Sequence, residues 1–99
     1  MNKDYGFNNT PADYETLSGE EKEQCGLWIH SRLAAVNCRP CNRLNSYGLK
    51  HHMERETGLY VTNGQFKGAM EKAGYEAFDT QDINWTYKVK LIGKGLYGH

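Results

Sequence analysis

No apolar run in this 99-residue sequence approaches the ~18 residues needed to cross a bilayer, and the opening MNKDYGFNNT has no apolar stretch of the secretory kind. The expectation is a cytoplasmic chain with no membrane partner. Cysteine is scarce and odd in number, three residues, which fits a reducing compartment better than a disulfide framework. There is no Walker loop, no dinucleotide fingerprint and no HExxH, so no enzyme is expected. An excess of one charge is also lacking: 12 Lys and Arg face 12 Asp and Glu. The strongly basic footprint of a dedicated nucleic-acid binder is therefore absent.

That neutrality hides an uneven distribution. Residues 1–23 hold two lysines against six acids, and residues 24–72 hold seven basic residues against three acids. The leader is acidic and the middle of the chain basic, which permits a nucleic-acid partner without demanding one. Apolar residues make up only 38% of the chain, but seven Tyr, three Phe and two Trp supply large surfaces for one modest core.

Proline occurs twice, and each instance punctuates a helix. Thr10-Pro11-Ala12-Asp13 has the cap, first-position proline and first-turn acid of a helix start, predicting one or two turns over about 11–17. Ser18 with Glu21 forms a capping box for a second helix, about 19–36, whose Cys25, Trp28, Ile29, Leu33 and Val36 make one apolar stripe. Pro40 lies in the loop that follows. Asn45 or Ser46 then caps a helix with Leu49 and Met53 inward and Gly58 as its left-handed stop. After a four-residue turn a further helix runs from Asn63 to Gly74, with Phe66, Ala69, Met70 and Ala73 inward and Tyr75 completing a Schellman cap. Trp85, Tyr87, Val89 and Leu91 alternate as a half-buried strand, expected to pair with Tyr75–Phe78 in a hairpin.

The resulting expectation is an α+β fold, a three-helix core containing a helix-turn-helix, with a C-terminal β-hairpin in winged-helix fashion. Residues 1–17 form an acidic leader with a short helix, 18–92 the winged-helix-like domain, and 93–99 a Gly-rich tail.

The stretch SYGLKHHMERETGLYVTNGQFKGAMEKAGY, followed by Asn84-Trp85, resembles a group of small phage and prophage proteins, mostly from Gram-positive bacteria. They share a Tyr-Gly-Leu-Lys-His segment, an aromatic-rich turn ending in Asn-Gly, a Phe-Lys-x-Ala-Met helix and an Asn-Trp strand. The resemblance covers roughly residues 45–90 and implies a phage or mobile-element origin rather than a particular chemistry.

Three groups of residues are candidates for function. Asn63, Gln65, Lys67, Gly68 and Lys72 would form the outer face of the third core helix, offering amide and ammonium donors to base edges and phosphates. Gly64 and Gly68 leave one edge of that helix bare, suited to close docking on DNA, on a protein, or on the chain's own strand. Lys50, Arg55 and Arg43, with Arg39, could add phosphate contacts. Cys38, Cys41 and His51 are the candidate zinc ligands, set against the plainer reading of two free thiols in a loop. Tetrahedral zinc needs a fourth donor, and Cys25 and His30 lie about 140° apart around one helix. No cofactor other than this zinc is suggested. His51 and His52, being adjacent, diverge by about 100° and do not suit acid–base work on one atom.

Two functions follow. One is DNA binding through the helix-turn-helix, with dimerisation compensating for net neutrality. The other is inhibition of a host defence or nucleic-acid-processing protein, in the manner of anti-CRISPR proteins, anchored on tyrosine and tryptophan.

Overall fold

The computed structural model describes residues 10–35, 43–78, 80 and 83–93, and of Arg43 only the backbone. The fold is α+β: a 3-10 helix (Pro11–Thr16), then α1 (Gly19–Arg32), β1 (Leu33–Ala35), β2 (Arg43–Asn45), α2 (Ser46–Thr57), α3 (Asn63–Lys72) and β3 (Thr86–Leu91).

The helix ends follow local chemistry. Ser18 accepts from the Glu21 amide while the Glu21 carboxylate accepts from the Ser18 amide, so the predicted capping box opens α1. Asn45 caps α2 through the Gly48 amide at 2.8 Å, and Gly58 ends that helix at φ 80°. The cap of α3 is Thr62 rather than Asn63, in a second capping box with Gln65. At its far end the Tyr75 amide reaches the Met70 carbonyl and the Gly74 amide reaches that of Glu71, the two bonds of a Schellman cap.

Two expectations about strands are corrected. The first long helix stops at Arg32, and Leu33–Ala35 leaves it as β1. The sheet is not a hairpin of 75–78 with 85–91: β3 lies in the middle, antiparallel to β1 on one side and to β2 on the other. Leu33 pairs with Leu91 and Ala35 with Val89, while Arg43 pairs with Lys88 and Asn45 with Thr86. Tyr75–Phe78 forms no strand, although the Phe78 amide donates to the Thr86 carbonyl of β3.

Tyr87 and Val89 point from β3 into a core shared with Trp28, Ile29, Leu33, Leu49, Met53, Val61, Phe66, Ala69 and Met70. Trp28 meets Phe66 edge to face at 6.3 Å. Leu17 joins this core, which fixes the base of the 3-10 helix. Seven of the ten residues of α3 are buried, against four of fourteen in α1 and four of twelve in α2. The helix expected to present a face is the central one.

The Cys38-Arg39-Pro40-Cys41 motif, residues 1–9 of the leader and residues 94–99 of the tail lie outside the described residues. Among the described residues no helix is long and apolar enough to cross a membrane.

Candidate functional site

The face predicted for α3 is largely occupied by the chain itself. A Cβ added to Gly68 would stand inside contact distance of the Pro11 carbonyl and of Tyr14 Cβ; one on Gly64 would lie 2.6 Å from the Thr10 carbonyl and 2.5 Å from Asp13 Oδ2. The bare edge made by these two glycines is filled by the 3-10 helix, so close packing on the chain itself, through this helix rather than a strand, accounts for the pair.

The neighbouring polar residues have structural tasks. Lys67, expected outside, is 2% exposed, with its ammonium 4.7 Å from the centre of the Trp85 ring. Burial lowers its pKa, opposed by the negative charge of Asp13. Asn63 is also buried; its amide donates to the Ile83 carbonyl at 3.2 Å and to Asn84 Oδ1 at 2.8 Å, tying the approach to β3 onto the start of α3. Gln65 divides its side chain between the cap and Thr16 Oγ1, the latter at 2.7 Å. Lys72 alone of this predicted group stands exposed, at the last turn. Asn63, Lys67 and Gly68 thus do not form an outward docking ridge.

The open face lies one helix earlier. Its base is held firmly: Ser46, fully buried, donates its amide to the Trp85 carbonyl at 2.7 Å, and its hydroxyl accepts from the Trp85 amide at 3.1 Å. This clamp joins the start of α2 to the start of β3. From it, Tyr47, His51, Glu54 and Arg55 follow at spacings that share one side of a helix.

Tyr47 is 51% exposed and Tyr60, in the α2–α3 turn, 60%. Lys50 is itself buried, 5% exposed, and its ammonium lies 5.2 Å from the Tyr47 ring centre and 4.8 Å from that of Tyr60. Burial lowers the Lys50 pKa, while the Glu54 charge acts the other way. His51 packs edge-on against Tyr47 at 4.4 Å and places Nδ1 3.3 Å from Glu54 Oε1. Arg55 is exposed and reaches His52 Nδ1 at 3.0 Å. Burial, followed by the charge of Arg55, lowers the His52 pKa.

Of the predicted basic residues, the structure therefore gathers Lys50 and Arg55 on α2. Arg43 belongs to β2, the strand that leads into that helix, and its side chain is outside the described residues. Sequence reasoning missed Tyr47 and Tyr60. The signal available was the Tyr47–Lys50 spacing of three, which puts ring and cation on one helical flank.

Of the zinc candidates, only His51 lies within the described residues. Cys38 and Cys41 lie outside the described residues, His51 turns to Glu54, and among the described residues no group of three or more His, Cys, Asp or Glu is placed to share an ion. Cys25 is fully buried in the core, with its thiol pushed up to about 11 by that burial.

Comparison of the chain with protein-family models, with curated proteins and with solved structures returns no match.

Proposed function

We propose that this chain is a non-enzymatic nucleic-acid-binding protein of phage or mobile-element type, working in the cytoplasm, whose contact face is α2 with the α2–α3 turn. The observation that carries the reading is the Lys50 ammonium, at the tip of a residue 5% exposed, standing between the rings of Tyr47 and Tyr60, two residues each more than half exposed. A cation beside open aromatic surfaces matches what nucleotides present, phosphate next to a π-face. Arg55 on the same helix adds a second positive charge. Glu54, the carboxylate of this stripe, faces His51.

A winged-helix mode, with α3 entering a major groove, is the other way to engage the same ligand. It would require the 3-10 helix to leave Gly64 and Gly68. The α2 face needs no such rearrangement and is the simpler surface.

Retention of sheared DNA, native and heat-denatured, on immobilised protein at low salt tests the proposal. Lys50→Ala and Arg55→Ala should each weaken retention and reduce the slope of log affinity against log salt by about 0.7, the single-strand value, to about 0.9, the duplex value. No retention of either DNA at ~50 mM salt, or retention indifferent to both substitutions, contradicts it.

One observation favours a second reading, a protein-binding inhibitor of a host defence or nucleic-acid-processing protein. Leu27, at 57%, and Phe78, at 47%, are exposed along with the two tyrosines, and such side chains anchor protein interfaces. A partner held as firmly at 200 mM salt as at 50 mM, after nuclease treatment, distinguishes it from the first.

A further inference from the structure

We infer that the nucleic acid taken by the α2 face is single-stranded, with bases stacking on Tyr47 and Tyr60 and a phosphate between them meeting Lys50. This deepens the nucleic-acid reading above and rests on it.

Three observations converge. First, duplex readout needs an element that enters a groove, and the helix in the place for it is α3. Seven of its ten residues are buried, and the 3-10 helix fills its glycine edge. Lys67 and Asn63, which could have met base edges, are turned to Trp85 and to the Ile83–Asn84 segment.

Second, what α2 and its turn do expose is aromatic. In a duplex the bases are stacked on one another and paired, so their faces are closed to a protein ring. An unpaired strand offers those faces freely, and stacking on tyrosine is then the usual source of affinity.

Third, the dimensions and charge suit a short stretch of single strand. With the Lys50 ammonium 5.2 Å and 4.8 Å from the two ring centres, the rings are within about 10 Å of one another, or about three steps of a stacked strand at ~3.4 Å each. Lys50 on this face, and Arg55 about 140° further round the same helix, match at most one or two phosphates over that distance. A duplex footprint draws on more phosphates than this.

The test is fluorescence anisotropy with the full chain and three labelled probes: a 12-nucleotide oligo(dT), a 12-nucleotide oligo(rU) and a 12-base-pair duplex. Either single strand should bind at least tenfold more tightly than the duplex, and the comparison of dT with rU reports which sugar is preferred. Tyr60→Ala and Tyr47→Ala should each weaken single-strand binding by roughly tenfold, whereas Tyr60→Phe and Tyr47→Phe, which keep the ring, should stay within about twofold. The slope of log affinity against log salt should be shallow, about −0.7 for each phosphate met and about −1.4 if both cations take part.

Duplex binding equal to or tighter than single-strand binding, still sensitive to Lys50→Ala, overturns the single-strand inference and leaves the nucleic-acid face standing. Absence of binding to all three probes at ~50 mM salt overturns both. Single-strand binding indifferent to the alanine substitutions overturns the stacking roles of the two tyrosines. The phenylalanine variants guard against loss of fold as a cause of loss of binding.

Discussion

Gly68 lies under Tyr14 so closely that even a methyl group at its Cα would overlap the tyrosine Cβ and the Pro11 carbonyl. Helix propensity and packing therefore pull in opposite directions at this position. Alanine is favoured over glycine in a helix by up to ~1 kcal/mol, while overfilling a close contact with backbone costs ~1–3 kcal/mol. Packing should win. Gly68→Ala is expected to lower stability by ~1–2 kcal/mol in urea unfolding. Gly26→Ala, in α1 with nothing within 4 Å of the added Cβ, is expected to raise it by ~0.5–1 kcal/mol. Two changes of the same sign would show that the 3-10 helix does not press on α3.

Glu56 links three segments of the chain. Its carboxylate accepts from Arg32 Nε at 2.9 Å and Nη2 at 2.8 Å and from Trp28 Nε1 at 2.7 Å, while Arg32 also donates to the Ile92 carbonyl. The Arg32 bonds, helped by that of Trp28, hold its pKa down to about 2, against an ordinary 4.5. A folded-state pKa below the unfolded one stabilises fully above the unfolded value and is lost as pH falls through the folded value. The window is thus from about pH 5 down to pH 2. Glu56→Gln should cost on the order of 2 kcal/mol at pH 7 and much less near pH 2. Parallel acid unfolding curves for the two proteins would contradict this.

The Ser46 hydroxyl is the partner of the Trp85 amide (3.1 Å) at a fully buried position. Ser46→Ala removes the acceptor and leaves the amide without it, at a cost of ~1–3 kcal/mol. Thermal unfolding should show the loss, and the Trp85 amide should exchange with solvent faster relative to the core amides of α1. Unchanged exchange would mean that this clamp is not what fixes α2 against β3.

Local chemistry was legible in the sequence where a few neighbouring residues decide it. Ser18 and Glu21 made their capping box, Gly58 took the left-handed stop, Tyr75 closed the Schellman cap, and Tyr87 with Val89 turned inward from β3 as alternation required. What failed depended on distant partners. Leu33 extends the apolar stripe of α1, so its departure into β1 is visible only once Leu91 is known to pair with it. β1 and β2 are three residues each, too short to show a period of two. Lys67 and Gly68 read as surface residues because lysine and glycine usually are. Their burial is set by Pro11–Thr16, roughly fifty residues earlier, and by Trp85. The same distance effect hid the candidate site: Tyr60 belongs to the turn, and only the fold brings it to Lys50.

The claim that α2, rather than α3, is the contact face is tested most directly by amide chemical shifts of the labelled chain during titration with oligo(dT). The expected changes cluster at residues 45–51 and 58–61, while the amides of α3 and of residues 12–16 stay in place. Shifts concentrated in Asn63–Lys72, accompanied by release of Pro11–Thr16 from Gly68, would contradict it.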